Sequence, residues 1–340
     1  MRGAGPAALL LLLAACTPVA PGPSRFAAER CAVHSVIDAA SGHSLKGIED
    51  LAPGPDGTLL LAADDRFASE AAIKAGKTPP EGGLYLAALD AVRMGSTRAR
   101  PLFAPGQVSG GLRPVGIARD GTRLAFVNRR LSAAGTPDPV VVEAELAPDG
   151  SARISSIHKG PGFCALNDVA LDGPLVLATL SEQCPPRLLD RLLNARRGSL
   201  VEIGPEASRT VATDLGFANG VVRLPDGRIA VSETRARQIR LSDGKVIALP
   251  GAPDNLSIAP DGRLVVALFP SLPRLIAYRL GWSGAAPARV VAVAPDSGAI
   301  ETLFDDPGGR LLPGLSGALW LGDTLVAGSV LAEGLLVCKA

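Results

Sequence analysis

Aromatic residues and histidines are scarce in this sequence, and strong helical patterns are nearly absent. Aromatic residues make up 4% of the 340 residues and histidine occurs 3 times, whereas 47% of the residues are hydrophobic. A core so poor in rings must be built from small aliphatic side chains. The formal charge is +1, with acidic and basic residues mixed along the chain. Because nucleic-acid-binding proteins need a concentrated basic face, this composition excludes that class.

The motifs of several common enzyme classes are also missing. The absence of a short Cys-x-x-Cys and of a His pair argues against zinc. There is no phosphate-cradling P-loop and no dinucleotide fingerprint. Gly314-Leu315-Ser316-Gly317 lacks the spacing of a Gly-x-Ser-x-Gly nucleophile elbow, which argues against a serine hydrolase of that type.

The N-terminus has the form of an export signal. Arg2 precedes a hydrophobic run, residues 7–13, that is too short for a transmembrane helix. The run leads into Leu-Ala-Ala-Cys, ending at Cys16, which resembles the lipobox of bacterial lipoproteins. We therefore expect residues 1–15 to be a signal peptide, Cys16 to be acylated, and residues 16–30 to be a Pro-rich tether. This predicts a protein anchored in the bacterial cell envelope and facing the periplasm. Thr17 favours the outer membrane, and the alternative is a plain secretory signal.

Four cysteines remain for disulfide bonds if Cys16 carries lipid. An even number of cysteines in an exported chain predicts a disulfide framework, although four cysteines permit three connectivities. Sequence position favours pairing Cys31 with Cys338 and Cys164 with Cys184. In the chain-entropy model, a bridge that closes about 300 residues stabilises the fold by roughly 5 kcal/mol.

One pattern recurs along the chain: a turn rich in Pro, Asp and Gly, followed by a short alternating apolar strand. Asp-Gly supplies the positive φ angles of a tight hairpin turn, and the residues that follow suit a half-buried strand. The occurrences are Pro55-Asp56-Gly57, Asp120-Gly121, Asp172-Gly173, Pro225-Asp226-Gly227, Pro260-Asp261-Gly262 and Pro307-Gly308-Gly309. Their mean spacing of about 50 residues is typical of a four-stranded propeller blade. We therefore predict an all-β fold, a six-bladed β-propeller over residues 31–340, with the outermost cysteines in neighbouring strands of one blade.

One segment, residues 186–197, has helical periodicity. Leu188, Leu189, Leu192 and Leu193 line one face of a predicted amphipathic helix. We interpret it as a surface helix docked on a blade. The alternatives are a lid over one end of the propeller and a membrane contact through its arginines.

Asn and acidic residues recur ahead of these turns. They are Glu49 and Asp50, Asn167 and Asp168, Asn219, and Asp254 and Asn255. Any one of them alone is an ordinary turn residue. Four such groups at the same phase of four blades predict side chains that converge on the propeller axis. Carboxylate and amide oxygens are the hard ligands that Ca²⁺ takes, roughly six to eight at a time, whereas Mg²⁺ requires a smaller octahedral cage.

Residues 31–340 resemble the paraoxonase family and, more loosely, the gluconolactonase-like and strictosidine-synthase-like propellers. The matching stretches, in the family's order, are Ile48-Glu49-Asp50-Leu51, Asn167-Asp168-Val169, Phe217-Ala218-Asn219-Gly220, Asp254-Asn255-Leu256-Ser257 and Leu335-Leu336-Val337-Cys338. The resemblance implies two calcium ions in a central tunnel, and the Cys31–Cys338 bridge as the ring closure. It implies an upper, catalytic ion held by Glu49, Asn167, Asn219, Asp254 and Asn255. It implies a lower, structural ion held by Asp50, Asp168 and the carbonyl of Ile117, since adjacent residues would point opposite ways along the tunnel.

The resemblance also implies hydrolysis of a lactone or of an aryl or other carboxylic ester. The calcium would polarise the carbonyl group while a base activates water. Paraoxonases are commonly assigned a His pair as the base, but Val115 and Arg129 stand at those positions and neither is a base near neutral pH. The three histidines, His34, His43 and His158, fall outside the matching stretches. The base would then be a carboxylate, Glu49 or Asp254.

Two other functions stay open on the sequence alone. A non-catalytic, calcium-stabilised envelope propeller that binds a ligand or a protein partner would not need the histidines. A different propeller enzyme, such as an isomerase or a sugar lactonase, would use Val115 and Arg129 to shape a pocket for an anionic substrate. The expected partners are a small lactone or ester and the membrane, reached through the lipid anchor.

Overall fold

A computed structural model of the chain describes residues 23–132, 134–160, 162–187, 189–190 and 193–340. The strands of these residues form six sheets, each of four or five strands, which confirms the predicted six-bladed β-propeller. The predicted signal peptide, the lipidation site Cys16 and residues 16–22 of the predicted tether lie outside the described residues.

The strands of each blade follow one another from the axis outward. Blade 1 contains β3 (Ile48–Pro53), β4 (Thr58–Ala63), β5 (Gly83–Ala88) and β6 (Thr97–Pro101), with β2 (Val36–Asp38) paired in parallel to β6. Blade 2 contains β7 (Pro114–Asp120), β8 (Arg123–Asn128), β9 (Val140–Leu146) and β10 (Ala152–His158). Blade 3 contains β11 (Leu166–Asp172), β12 (Leu175–Leu180), β13 (Gly198–Ile203) and β14 (Ser208–Leu215).

The second half of the ring repeats this arrangement. Blade 4 contains β15 (Ala218–Arg223), β16 (Ile229–Glu233), β17 (Gln238–Leu241) and β18 (Val246–Ala248). Blade 5 contains β19 (Ala252–Ile258), β20 (Leu264–Phe269), β21 (Ala288–Val293) and β22 (Ile300–Asp306). Blade 6 contains β23 (Leu315–Leu321), β24 (Thr324–Ser329), β25 (Leu335–Lys339) and, outermost, β1 (Cys31–His34). The first strand of each blade contacts the first strand of the next, so β3, β7, β11, β15, β19 and β23 surround the axis.

Blade 6 closes the ring because it is built from both ends of the chain. β1 pairs antiparallel with β25, and Cys31 lies opposite Cys338. The disulfide between them joins Cα atoms 4.0 Å apart, and Cys164 is bonded to Cys184. Both predicted pairings are confirmed, as is the placement of the outer cysteines in neighbouring strands.

The N-terminal segment joins the propeller before residue 31. The N–H groups of Arg25 and Phe26 donate to the carbonyl oxygens of Thr302 (3.0 Å) and Leu303 (2.8 Å) on β22. The Phe26 side chain is fully buried in the cluster between blades 5 and 6. Part of the segment expected to be a tether is therefore attached to the edge of blade 5.

Five of the six predicted turns are the hairpins between the first two strands of blades 1 to 5. The prediction for Pro307-Gly308-Gly309 is wrong, because these residues follow β22 and no strand begins at Arg310. A Cβ at Gly309 would lie 2.0 Å from the carbonyl oxygen of Ala286, so this glycine is required by close packing. The inner hairpin of blade 6 turns instead at Gly322, where φ is +69°.

Three α-helices occur within the described part of the chain outside 189–190: α1 (Arg66–Lys74), α2 (Leu89–Met94) and α3 (Leu272–Arg279). The sequence analysis did not predict them. α1 and α3 follow the second strands of blades 1 and 5, and each is capped by the side chain before it: Asp65 accepts from the N–H of Ala68 (3.0 Å) and Ser271 from that of Arg274 (3.4 Å). No helix among the described residues is long and apolar enough to span a membrane.

The predicted helix over residues 186–197 is described only in part, because Leu188, Arg191 and Leu192 lie outside the described residues. The side chains of Leu189 and Leu193 are 64% and 70% exposed. These two leucines therefore do not dock on a blade as expected.

The hydrophobic core is divided among the interfaces between blades. Six clusters of buried residues are found among the described residues, one between each pair of neighbouring blades. Small aliphatic side chains dominate them, as the composition predicts. Because the apolar side chains pack between blades, the tunnel at the axis is left to the polar residues of the first strands.

Candidate metal and catalytic site

The predicted site residues lie in β-bulges around the axis. In each of the six inner hairpins described, the register of β-pairing shifts in the first strand. The shift falls on Glu49 alone in blade 1 and on Ser316 alone in blade 6, and on two residues in the other blades. At this point of the repeat each blade carries one residue pair. These pairs are Glu49-Asp50, Val115-Gly116, Asn167-Asp168, Asn219-Gly220, Asp254-Asn255 and Ser316-Gly317. A bulge adds a residue to one strand and re-aims its side chain. This accounts for the two consecutive polar residues that the sequence shows in blades 1, 3 and 5.

Glycine and polar residues alternate around the ring at the second position of each pair. Blades 1, 3 and 5 carry Asp50, Asp168 and Asn255, and blades 2, 4 and 6 carry glycine. A Cβ at Gly116 would lie 2.0 Å from Oδ1 of Asp168, so a larger residue does not fit there. The glycines therefore allow the polar strands of the odd blades to approach their neighbours closely.

Two cavities open at opposite ends of the tunnel. The upper cavity, about 690 Å³ in volume, is lined by Glu49, Asn167, Asn219 and Asp254 among others. The lower cavity, about 360 Å³, is lined by Asp50, Asp168 and Ile117 among others. The two members of Glu49-Asp50 and of Asn167-Asp168 thus line opposite cavities. Asn255 lines neither cavity, and its side chain reaches from β19 to the backbone of β3.

Each of three asparagines has one end held and the other end without a partner. Nδ2 of Asn167 donates to the Ser181 hydroxyl (3.0 Å), and Nδ2 of Asn219 donates to that of Thr234 (3.0 Å). Nδ2 of Asn255 donates to the backbone carbonyl of Glu49 (3.1 Å). The Oδ1 atoms of these three asparagines are buried and have no hydrogen-bond partner. A buried unpaired amide oxygen is unfavourable by about 1–3 kcal/mol, so three at one axis require a physical reason.

The aspartates of the lower cavity are held by backbone N–H groups. Asp50 accepts from Leu51 (2.9 Å) and, across to blade 2, from Ile117 (2.8 Å). Asp168 accepts from the next residue, Val169 (2.8 Å), and, across to blade 4, from Val221 (2.8 Å). Each carboxylate therefore ties its own blade to the next one and faces the lower cavity in a fixed orientation.

The carboxyl groups of the tunnel have raised pKa values. Burial raises the pKa of Asp50 to about 7, with a further rise from the charge of Glu49, against the lowering effect of the two N–H groups. Burial raises the pKa of Asp168 well above its ordinary value, and the nearby charge of Asp50 adds to this. Burial and the charge of Glu49 raise the pKa of Asp254 in the same way. The charge of Arg66 lowers the pKa of Asp254, but this effect does not outweigh burial.

The cation that pairs with Glu49 in the upper cavity was not predicted from the sequence. Arg66, the first residue of α1, forms an ion pair through Nη2 with Oε2 of Glu49. The side chains of the pair are 15% and 6% exposed, so solvent screens it little. A signal was present in the sequence, because the charged run Asp64-Asp65-Arg66 directly follows the apolar strand β4 at the end of the blade where Glu49 lies.

The two positions that the sequence resemblance aligns with histidines, Val115 and Arg129, differ in their surroundings. Val115 is buried in the cluster between blades 2 and 3 and is not among the residues lining the upper cavity, so it does not shape a pocket. Arg129 follows β8 and lines that cavity. Burial lowers the pKa of Arg129 to about 10, with a smaller contribution from the charge of Arg66, so the guanidinium stays protonated near neutral pH.

The three histidines lie outside the upper cavity, as the sequence analysis expected. Nδ1 of His34 is 2.7 Å from the carbonyl oxygen of Val92. Nε2 of His158, on the outer strand of blade 2, is 2.7 Å from Oε1 of Glu143. His43 is exposed. No histidine base is therefore available in this cavity.

The tunnel offers an oxygen donor set rather than one of nitrogen and sulfur. No group of three or more His, Cys, Asp or Glu side chains is arranged to hold a metal in the described part of the chain. The donors that converge on the axis are instead asparagine oxygens and single carboxylates. Such a mixture is the chemistry that a hard cation of the calcium type accepts, with backbone carbonyls and water completing the shell.

Comparison with known proteins gives a fold likeness but no sequence family. Neither a protein-family profile nor a curated protein sequence matches the chain. The PQQ-bound aldose sugar dehydrogenase from Streptomyces coelicolor is 14% identical with a TM-score of 0.54, over 94% of this chain and 99% of that one. A putative gluconolactonase is 14% identical with a TM-score of 0.53, over 93% and 94%. A luciferin-regenerating enzyme is 13% identical with a TM-score of 0.51, over 90% and 95%. At these identities the likeness shows the shared fold alone.

Proposed function

We propose that the protein is a calcium-dependent hydrolase of lactones or of aryl and other carboxylic esters, with its active site in the upper cavity. The observation that carries the proposal is the set of three buried, unpaired asparagine oxygens at the axis. In the proposal, Glu49, Asn167, Asn219, Asp254 and Asn255 hold a catalytic calcium ion. Asp50, Asp168 and the carbonyl of Ile117 hold a second, structural one. When bound, the catalytic calcium supplies polarisation of the substrate carbonyl group.

Asp254 is a better candidate for the base than Glu49. Glu49 is held by Arg66, so its carboxylate is already neutralised. Asp254 lines the same cavity and has no ion-pair partner in the part of the chain that the structure describes. Asp254 is therefore assigned the removal of a proton from the attacking water.

The remaining residues of the cavity orient the ligands and the substrate. Ser181 and Thr234 accept from the asparagine amide groups and so aim the Oδ1 atoms of Asn167 and Asn219 at the axis. Phe217, Phe269 and residues of α3 form an apolar wall beside the polar floor. A lactone or aryl ester would place its apolar body against this wall and its carbonyl over the floor.

The proposal is tested by hydrolysis of a panel of lactones and aryl esters, with calcium and with a chelator. We expect turnover that disappears with the chelator and returns with calcium. Asp254→Asn should lower kcat by at least about 100-fold, the usual contribution of a positioned base. The purified protein should retain residues 23–30, because Phe26 is part of the core. Wild-type turnover that is indifferent to the chelator would contradict the calcium dependence.

A non-catalytic calcium-binding propeller is the alternative, and the absence of a histidine from the upper cavity favours it. That alternative predicts a calcium-dependent rise in Tm without turnover on any member of the panel. The same measurements therefore separate the two functions.

We also propose that the protein is exported and anchored to the cell envelope through Cys16, facing the periplasm. The two disulfides suit an oxidising compartment. Labelling of cells with a palmitate analogue should mark the wild-type protein and not the Cys16→Ser variant. Equal labelling of both would contradict the anchor.

A further inference from the structure

The arginines of the upper cavity differ in what balances their charge. Arg66 is paired with Glu49, and Arg279 on α3 is paired with Glu70 on α1. Arg129 has no carboxylate partner in the described part of the chain. The single hydrogen bond of its guanidinium runs from Nη2 to the carbonyl oxygen of Leu166, 3.2 Å away.

Most of the hydrogen-bonding capacity of Arg129 is therefore unused. A guanidinium carries five N–H donors in a planar fork, and only one of them has a protein partner here. The charges of Glu49, Asp64 and Asp254 act on Arg129, but none of these carboxylates forms an ion pair with it, so its buried N–H groups lose hydration without gaining partners. The bond to Leu166 spans from blade 2 to blade 3 and holds the Nη2 end of the guanidinium at the wall of the cavity.

The surroundings of Arg129 select the charge of a ligand. The cavity also contains the carboxyls of Glu49 and Asp254, which would repel a dianion such as a phosphate monoester. A single planar fork matches a carboxylate, which accepts two parallel N–H bonds. Phe217, Phe269 and Leu275 offer apolar surface on the same cavity. The site thus suits an apolar molecule that carries one carboxylate.

We propose that Arg129 is a specificity-determining residue. The substrate is a lactone or ester that carries, in addition to the reacting bond, a free carboxylate that the Arg129 guanidinium binds. This inference rests on the proposed hydrolase function for the identity of the reacting bond. The binding of the carboxylate itself depends only on Arg129 and the cavity around it.

The experiment compares two aryl esters that differ only in charge: 4-carboxyphenyl acetate and its methyl ester, 4-(methoxycarbonyl)phenyl acetate. We measure kcat/KM for both with wild type, Arg129→Gln, Arg129→Lys and Arg153→Gln. Arg153 lies exposed on the outer strand of blade 2, and its substitution is the matched control. The readout is the ratio of kcat/KM for the charged ester to that for the neutral one. The folded fraction cancels within each ratio, and the difference in leaving group cancels when the ratios of two variants are compared.

We expect Arg129→Gln to lower this ratio by about 10- to 100-fold, the contribution of a hydrogen bond to a charged group. Arg129→Lys should recover part of the loss, because a lysine keeps the charge and loses the fork. Arg153→Gln should leave the ratio unchanged. Calcium-dependent turnover with the same ratio in wild type and Arg129→Gln would overturn the inference and leave the hydrolase function standing.

A binding measurement covers the case in which no ester is hydrolysed. Calorimetric titration of 4-hydroxybenzoate, the product of the charged ester, should show binding to wild type that weakens about 10-fold or more in Arg129→Gln. Such a result without any turnover would refute the hydrolase and support the carboxylate site. No binding of 4-hydroxybenzoate and no turnover would refute both.

Discussion

Replacement of Asn219 by alanine separates a metal ligand from an ordinary buried amide. In the presence of a chelator, the substitution removes the hydrogen bond from Nδ2 to Thr234, which contributes about 1 kcal/mol. It also removes the unpaired Oδ1, whose burial is unfavourable by about 1–3 kcal/mol. These effects oppose each other, so the stability of the chelated protein should change little.

In saturating calcium the same substitution should be clearly destabilising. Loss of an interaction at a metal site commonly lowers metal affinity by about 10- to 100-fold. The stabilisation by a bound ligand falls by RT times the logarithm of that factor, which is about 1.4–2.7 kcal/mol. At roughly 2 °C per kcal/mol for a chain of this size, Tm should fall by about 3–5 °C in calcium.

Asn128 provides the matched control, because both ends of its amide are paired. Its Oδ1 accepts from the N–H of Arg113 (2.8 Å), and its Nδ2 donates to the carbonyl of Gly111 (3.0 Å). Asn128→Ala should lower Tm equally in calcium and in chelator. The assay is thermal unfolding of wild type and both variants under the two conditions. A loss for Asn219→Ala that is equal under both conditions, or a wild-type Tm indifferent to calcium, would refute the reasoning.

Three further predictions concern the tunnel and the closure of the ring. In chelator, the raised pKa of Asp50 means that the folded state binds the proton of this carboxyl more tightly than the unfolded state does. The stabilisation of the folded state that results is complete below about pH 4 and is lost as pH rises through about 7. Stability in chelator, and Tm with it, should therefore fall by about 3 kcal/mol from pH 5 to 8, and calcium should flatten the profile; parallel profiles would contradict this. Gly116→Ala places a Cβ 2.0 Å from Oδ1 of Asp168 and should destabilise by on the order of 3 kcal/mol in denaturant unfolding, whereas Gly284→Ala, whose Cβ meets nothing within 4 Å, should not. Cys31→Ser opens the ring-closing disulfide and should lower stability by about 5 kcal/mol, a difference that should vanish when wild type is measured under reducing conditions.

The fold could be predicted from the sequence because the residues that form each inner hairpin are close together in the chain. Asp-Gly turns set positive φ angles within a few residues, and five of the six mark the inner hairpin of a blade. The sixth failed because a glycine has two uses that look alike in sequence. Gly309 permits close packing against residue 286, which is distant in the chain and cannot be seen in a local pattern.

The residue types of the site could be predicted from the sequence, but the way in which their charges are balanced could not. Asn167 and Asp254 stood out because polar residues within apolar stretches at one phase of the repeat indicate a shared axis. Arg66 was missed because it reaches Glu49 from a helix outside the repeated pattern. The burial of Val115 was missed because its neighbours in the core come from the adjacent blade. Contacts between blades, and contacts from helices outside the repeat, were therefore the part that periodicity did not reveal.

The balance of charge at the axis is the physical reason for proposing a cation. Glu49 faces Arg66, whereas Asp50, Asp168 and Asp254 have no ion-pair partner in the described part of the chain. Burial of carboxylates without opposite charge is unfavourable by several kcal/mol each, and apolar side chains would close the axis more stably. Protonation relieves the carboxyls, and their raised pKa values express this. A protonated Asp254 carries one O–H donor and can satisfy at most one of the three unpaired amide oxygens, while Asp50 and Asp168 face the lower cavity. A hard cation satisfies both kinds of oxygen at once, which is why the asparagines, more than the aspartates, favour calcium over a set of protonated acids.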